Sequence, residues 1–156
     1  MSYTVSLESY INTYGELSAL HKAAFDEVVD KLASDGVKLS PFAPNLDEYK
    51  LLEQNGNLLL YVYREMDSGS PIGFCAVHIC NDLRNGDLMA TEDAIYILPA
   101  HRGKLGVKFV KCIFNDLTNR GVRYCLINSL NSFAGHNIWR RLGFRDYAMQ
   151  LVCNFN

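Results

Sequence analysis

The chain has few of the features that mark membrane, secreted or metal-dependent proteins. Its 156 residues hold no apolar run near the roughly 20 residues that cross a bilayer, and MSYTVSLESY lacks the basic and apolar regions of a signal peptide. The five cysteines are odd in number and show no CxxC spacing, which argues against disulfide and metal frameworks. We therefore expect a soluble cytoplasmic protein with no membrane partner and no metal.

Positive charge is scarce in the first two thirds of the chain. Residues 1–99 contain 6 Lys and Arg against 15 Asp and Glu, whereas residues 100–156 contain 9 against 2, so the segments carry net charges of −9 and +7. An anionic partner therefore has one segment to bind, and a cationic partner has the other. The chain lacks the basic pI and the interleaved aromatic and basic residues of most nucleic-acid binders, so we expect no nucleic-acid partner.

Hydrophobic periodicity predicts a single α/β (α+β) domain over residues 1–156. Four helices are predicted, at about 14–35, 46–55, 103–120 and 132–141. Six strands are predicted, at 3–7, 58–63, 72–80, 88–98, 123–130 and 144–153. The second to fourth strands should form an antiparallel meander. The helix that follows them returns the chain to the fifth strand, which should lie parallel to the fourth through a right-handed crossover.

The sequence AIYILPAHRGKLGVKF, residues 94–109, predicts a corner at which a strand runs into a helix through glycines and cations. Such a corner presents unpaired backbone N–H groups and positive charge in one place, which suits a phosphate. The corner matches neither GxxxxGK[ST] nor GxGxxG. It is therefore a different kind of anion-binding loop, or an ordinary turn.

Two motifs in this region resemble those of the GNAT superfamily of N-acetyltransferases. YILPAHRGKLGV resembles the acetyl-CoA loop, R/Q-x-x-G-x-G/A after a strand, and SFAGHNIWRRLGF resembles N-x-x-A-x-x-x-Y-x-x-x-G-F. The resemblance spans nearly the whole chain and implies a GNAT-like mixed sheet. The helix at 17–34 and the stretches SPFAPNLDEY and TEDAIYILPAHRG are also similar to acetyltransferases encoded in bacteriophage genomes.

Both motifs depart from the family pattern. Arg102 keeps the first position of the loop, but Leu105 and Val107 occupy the two glycine positions and Gly106 lies between them. Trp139 replaces the tyrosine that many members use to protonate the departing thiolate, and an indole N–H is a donor but no useful acid. The departures leave open whether catalysis is kept.

The resemblance implies an acetyl-CoA-dependent enzyme that transfers an acetyl group to a primary amine by direct attack of the amine on the thioester. Backbone groups of residues 95–97 would pair with the pantetheine arm, and one N–H would face the thioester oxygen. The implied acetyl-CoA contacts are Ile95, Tyr96, Ile97, Leu98, Arg102, Gly103, Lys104, Leu105, Gly106, Val107, Asn131 and Trp139.

Glu92 and Asp93 are the candidates for the group that deprotonates the amine. An amine with a pKa near 10.4 is mostly protonated at neutral pH, so a carboxylate must help to remove its proton. Adjacent strand residues point to opposite faces, so only one of the two can face the cleft. Glu92 has the longer reach and Asp93 matches the family position. A merely solvated acidic pair is the alternative.

The charge asymmetry favours a cationic amine as acceptor, entering from the side built by the acidic two thirds of the chain. A small molecule and a protein lysine or N-terminus both fit this description. Two other functions stay open: a GNAT-fold binding or regulatory protein with weak or no catalysis, and a nucleic-acid-associated modifier. The sequence also leaves a homodimer open.

Overall fold

The computed structural model describes residues 2–129, 133–148 and 153. Its strands are β1 (Tyr3–Glu8), β2 (Leu58–Glu65), β3 (Pro71–Asn81), β4 (Leu88–Ile97) and β5 (Tyr124–Leu126). Its helices are α1 (Tyr10–Ser34), α2 (Leu46–Gln54), α3 (Lys104–Asn119) and α4 (Phe133–Arg141). A short 3₁₀ turn, Pro99–His101, joins β4 to α3.

The strands form one mixed sheet in the order β1-β2-β3-β4-β5. The first three neighbouring pairs are antiparallel, and β5 lies parallel to β4. The chain passes from β4 to β5 through α3, which is the crossover that parallel neighbours require. The predicted α+β fold, an antiparallel meander followed by a parallel β-α-β unit, is confirmed.

Side chains alternate along the central strands and fill a core on each face of the sheet. On the face covered by α1 and α2, here the α1 face, the strands and α1 bury Tyr10, Leu17, Leu60, Val62, Phe74 and Ala76. On the opposite face, here the α3 face, the strands and α3 bury Tyr61, Tyr63, Cys75, Val77, Phe109 and Ile113. Because both faces are covered, the sequences of β2 and β3 are nearly continuous apolar runs.

Helix α1 begins at Tyr10, four residues before the predicted start at Tyr14. Ser9 is the N-cap, and its hydroxyl accepts a hydrogen bond from the Asn12 N–H. A residue of α2 completes the cap, because the Glu53 carboxylate accepts the Tyr10 N–H at 2.5 Å and the Ser9 hydroxyl at 3.0 Å. The extra turn depends on this contact between helices, which a local pattern does not contain.

The predicted strand at 123–130 is much shorter in the structure. Strand β5 covers only Tyr124–Leu126, paired with Met89, Ala90 and Thr91 of β4. Residues 127–129, Ile-Asn-Ser, lie outside the strand. The strand predicted at 144–153 is also not seen at residues 144–148, and residues 149–152 lie outside the described residues.

We predict that Gly73→Ala destabilises the protein, whereas Gly15→Ala does not. A Cβ on Gly73 of β3 would lie 2.7 Å from the Tyr96 carbonyl oxygen, so the β3–β4 ladder would have to move. Overpacking of this kind costs about 1–3 kcal/mol. Gly15 is exposed within α1 with open space around it, so alanine there should add roughly 0.5–1 kcal/mol. Urea unfolding of both variants tests this, and equal stabilities would contradict it.

Candidate active site

Strands β4 and β5 separate after three paired residues. Their last pair is Thr91 with Leu126. Just beyond it β4 bulges, since Val77 of β3 pairs with Glu92 and Ala76 pairs with Ala94. Asp93 is therefore an extra residue in β4, and such a bulge bends the strand and increases its twist. From Ala94 to Ile97, no described strand pairs with β4 on the side away from β3.

Two of the predicted cofactor-binding residues turn their backbone toward this gap. Leu98 donates its N–H to the Ile72 oxygen of β3 at 2.9 Å. By the alternation of an antiparallel ladder, Tyr96 also bonds to β3, whereas the N–H and C=O groups of Ile95 and Ile97 point away from it. Ile95 and Ile97 are thus placed to pair with an extended ligand. The side chains of Tyr96 and Leu98 pack in the core.

The first turn of α3 lies just past the end of β4 and has no capping side chain. The N-cap is Gly103, whose φ of +85° favours glycine over any residue with a Cβ. Helix geometry leaves the N–H groups from Gly103 to Gly106 without intrahelical acceptors, and the helix dipole adds partial positive charge there. Gly106 packs against the end of β4, where a Cβ would come within 3.2 Å of Ile97 Cδ1. The loop therefore fits an anion such as a pyrophosphate.

The other residues of the loop differ in their exposure and contacts. Lys104 is exposed at the first position of α3, while Val107 is half-buried and Leu105 packs on the α3-face core. The Arg102 guanidinium turns toward α1, where it lies 2.5 Å from the Glu27 carboxylate and over the Tyr96 ring. Its Nε donates to the Ile97 oxygen at 2.8 Å.

Glu92 lies in the gap on the α3 face. Its carboxylate accepts the Asn128 N–H at 2.9 Å and is also hydrogen-bonded by the Ile95 backbone, so it links β4 to the segment that follows β5. Burial raises the pKa of Glu92 above its ordinary value. An apolar cavity of about 20 Å³ adjoins it, with Cys75, Cys125 and Trp139 among the lining residues.

Asp93 points to the opposite face of the sheet. One carboxylate oxygen, Oδ2, accepts the Tyr49 hydroxyl of α2 at 2.7 Å. The other, Oδ1, lies 3.9 Å from Nε2 of His78, a residue of β3. Tyr49 stacks on Tyr10 with ring centroids 4.2 Å apart, and burial followed by the Asp93 charge holds the Tyr49 pKa above its ordinary range. The two candidate carboxylates thus face different sides, as strand alternation predicts.

Trp139 lies beside Glu92 at the cavity and packs edge-on against Phe144, with ring centroids 5.4 Å apart. Helix α4 therefore brings the expected motif position to the gap, with an indole in place of a phenol. Burial raises the pKa of the neighbouring Cys125 thiol to about 11, which suits a structural cysteine better than a nucleophile. Asn131, another expected cofactor contact, lies outside the described residues.

Sequence reasoning missed His78 and Tyr49. His78 follows Phe74 and Ala76 at a spacing of two on β3, so strand periodicity places it with them on the α1 face. Nothing in the local sequence links His78 to Asp93. Tyr49 is 44 residues from Asp93 in the chain, and no sequence signal joins the two. Both residues became visible only when the fold brought the strands and α2 together.

The described residues contain no group of three or more metal-ligating side chains arranged for a metal ion. Across the same residues, no helix has both the length and the apolar character needed to span a membrane.

The fold is shared with solved acetyltransferases. An aminoglycoside acetyltransferase, HMB0005, from an uncultured soil metagenomic sample superposes with a TM-score of 0.75 at 14% identity, covering 100% of both chains. A ribosomal-protein-alanine N-acetyltransferase from Brucella melitensis biovar Abortus 2308 gives 0.72 at 15% identity, covering 99% of this chain and 100% of that one. AAC(6')-Iy, solved with the bisubstrate analogue CoA-S-monomethyl-acetylneamine, gives 0.72 at 16%, covering 100% and 99%.

These structures define the fold as that of an acetyltransferase. The model of the acetyltransferase (GNAT) family matches residues 23–144. The chain belongs to this family, as the two sequence motifs predicted. A comparison with curated protein sequences gave no match.

We predict that Glu92→Gln stabilises the protein at neutral pH. The folded state raises the pKa of Glu92, so it favours the protonated acid, and ionisation costs stability once the pH exceeds the ordinary value of 4.5. Glutamine keeps an oxygen for the two N–H donors but carries no charge. We expect a gain on the order of 1 kcal/mol at pH 7.5, or about 3 °C in Tm.

The gain should shrink toward pH 4.5, where the wild-type side chain is increasingly protonated in both states. Thermal unfolding across pH 4–8 measures this difference. Asp67→Asn, in the exposed turn between β2 and β3, is the matched charge-removing control and should show no such trend. If the stability gain of Glu92→Gln over wild type were smaller at pH 7.5 than at pH 4.5, the assignment would be contradicted.

Proposed function

We propose that this protein is an acetyl-CoA-dependent N-acetyltransferase that transfers an acetyl group to a primary amine. The observation that carries the proposal is the separation of β4 from β5 at Thr91 and Leu126, with the gap leading to the uncapped first turn of α3. A strand edge suits the extended pantetheine arm, and the helix N-terminus suits the pyrophosphate. Family membership supports the acyl donor, since the GNAT family uses acetyl-CoA.

The acyl donor would be held mainly by backbone groups. The N–H and C=O groups of Ile95 and Ile97 would pair with the pantetheine arm after displacing the Glu92 and Arg102 side chains that now bond to them. The amides from Gly103 to Gly106 would hold the pyrophosphate, with Lys104 adding charge. A preorganised N–H aimed at the developing oxyanion contributes about 3–4 kcal/mol to transition-state stabilisation.

Asp93 is the carboxylate that we assign to the acceptor side of the site, where it would bind the ammonium and assist its deprotonation. It lies on the α1 face with a partly exposed carboxylate, whereas Glu92 is buried on the α3 face and is bound by two backbone N–H groups. The neutral amine would then attack the thioester carbon, forming the C–N bond and breaking the C–S bond. Because Trp139 is no acid, water would protonate the departing thiolate.

The acceptor is proposed to be a cationic amine. Four of the acidic residues on α1 and α2 are engaged: Glu16 by Arg64, Asp26 by Lys22, Glu27 by Arg102 and Glu53 by the α1 cap. Asp30, Asp47 and Glu48 form no ion pair with other described residues, so they contribute negative potential to this side. Solved proteins of the same fold include aminoglycoside acetyltransferases, one of them in complex with sisomicin, which supports an amine acceptor.

Several narrower expectations accompany this proposal. A single domain over residues 1–156, a cytoplasmic location and an origin in a bacteriophage genome stay predictions from the sequence. A homodimer stays open. A GNAT-fold binding protein without catalysis is the alternative that Trp139 favours, and acetyl transfer to any amine would exclude it.

We predict that Lys104→Glu weakens acetyl-CoA binding at least tenfold, about 1.4 kcal/mol, in calorimetry at 0.15 M salt. The reversed charge would lie at the first turn of α3, where the pyrophosphate is expected. Lys111→Glu makes the same change two turns further along α3 and is the matched control, since the Debye length at this salt is about 8 Å. Equal affinities for the two variants would place the phosphates elsewhere.

We predict that kcat/KM for a cationic amine falls as NaCl is raised from 0.1 M to 1 M at saturating acetyl-CoA. Screening shortens the Debye length from about 10 Å to roughly 3 Å over this range, which removes long-range attraction to the acidic helices. Asp47→Asn with Glu48→Gln should flatten the salt dependence, and Asp67→Asn should leave it unchanged. A salt-independent kcat/KM in the wild type would contradict electrostatic steering.

A further inference from the structure

His78 has a buried nitrogen that its surroundings do not satisfy. Its Nε2 is shielded from solvent and makes no hydrogen bond with any described residue. The nearest acidic atom, Asp93 Oδ1, is 3.9 Å away, which is too long for a hydrogen bond. A buried polar atom without a partner is costly and calls for an explanation.

Asp93 is held so that its second oxygen faces this nitrogen. The Tyr49 hydroxyl donates to Oδ2 at 2.7 Å, which leaves Oδ1 as the oxygen turned toward His78. Tyr49 is itself fixed by its stack on Tyr10 of α1. Burial and the Asp93 charge keep the Tyr49 pKa above its ordinary range, so the phenol stays neutral and acts as a hydrogen-bond donor.

The separation of Oδ1 and Nε2 suits a donor with two hydrogens. A nitrogen about 2.9 Å from each atom fits between two acceptors 3.9 Å apart, with an angle near 85° at that nitrogen. The side chains of His78 and Asp93 are 39% and 24% exposed, but Nε2 itself is shielded, so the ammonium would reach it only after a small rotation of the His78 ring. Among described residues, the titratable groups around the pair are Tyr49 of α2, Tyr10 of α1 behind it, and Glu92 and Cys75 from the α3 face.

We propose that Asp93 Oδ1 and His78 Nε2 together bind the ammonium group of the acceptor, that His78 accepts its proton, and that Tyr49 is a positioning residue for Asp93. This inference rests on the proposed acetyltransferase function and adds to it the path of the proton. His78 and Asp93 are the catalytic residues in this scheme, because both touch the reacting nitrogen.

The proton balance is complete with these groups. One N–H proton of the ammonium passes to Nε2, and the Asp93 carboxylate at ion-pair distance stabilises the imidazolium. The neutral amine attacks the thioester carbon, so the C–N bond forms and the C–S bond breaks. The second N–H proton leaves with the thiolate as a thiol, by way of water. The imidazolium returns its proton to water that enters when the amide product leaves.

The first experiment measures acetyl transfer to sisomicin, glucosamine 6-phosphate and a lysine-containing peptide, and follows the released thiol. With the best of these amines, His78→Gln should lower kcat about 100-fold, in the range for loss of a general base, with KM changed less than threefold. The acidic limb of its kcat/KM profile against pH should disappear. Added imidazole should restore activity to His78→Ala, and Asp93→Asn should lose activity.

Tyr49→Phe tests the positioning role. It should lower kcat about tenfold while keeping the wild-type shape of the pH profile. Tyr61→Phe is the matched control, because Tyr61 on the α3 face also donates its hydroxyl to a carboxylate, that of Asp116, at 2.7 Å. Circular dichroism and Tm establish that each variant is folded, and Tyr61→Phe should keep wild-type kcat.

The outcomes separate this inference from the proposed function. If wild-type protein acetylates none of the three amines, the proposed function and the inference fail together. If wild type is active and His78→Gln keeps its kcat and its acidic limb, the inference alone is overturned. Failure of imidazole to rescue a folded His78→Ala protein would overturn the proton-accepting role in the same way.

Discussion

The extra residue in β4 is the constraint on which both sides of the site depend. With Asp93 inserted, the strand changes twist where β5 would have continued beside it. Alternation along β4 already turns Glu92 to the α3 face and Asp93 to the α1 face. The insertion adds that the next residue, Ala94, packs on the α1 face as well, so the alternation of the strand is reset at the point where the gap begins.

The charge distribution of the chain follows this division. The segment that carries α3 and α4 holds the excess of Lys and Arg, and the segment that carries α1 and α2 holds the excess of Asp and Glu. The two segments meet at the ion pair of Arg102 with Glu27, beside the end of β4. An anionic donor would approach the positive side and a cationic acceptor the negative side, and the sheet lies between the two sides.

The fold was predictable where local periodicity decides it. Apolar runs marked β2, β3 and β4, and the spacing of Phe109, Ile113 and Leu117 marked α3. The start of α1 was not predictable, since it depends on a carboxylate 43 residues away, and the end of β5 was not, since the bulge in β4 has no sequence signature. In the candidate site, sequence supplied Glu92, Asp93 and the glycine loop. It did not supply the contacts of Asp93 with Tyr49 and His78, or the turn of Arg102 toward Glu27, 75 residues distant.

A strand edge that is open to a ligand is also open to a second polypeptide, and exposed edges of this kind are common starting points for aggregation. Here two of the outward groups of β4 are already bonded within the chain, the Ile95 N–H by Glu92 and the Ile97 oxygen by Arg102. Both bonds are made by ionisable side chains. The Arg102 side chain lies at the surface, where water can replace its hydrogen bond. These two bonds would have to break before another chain could pair with the edge, which makes the opening between β4 and β5 a poorer template for aggregation than a bare strand edge.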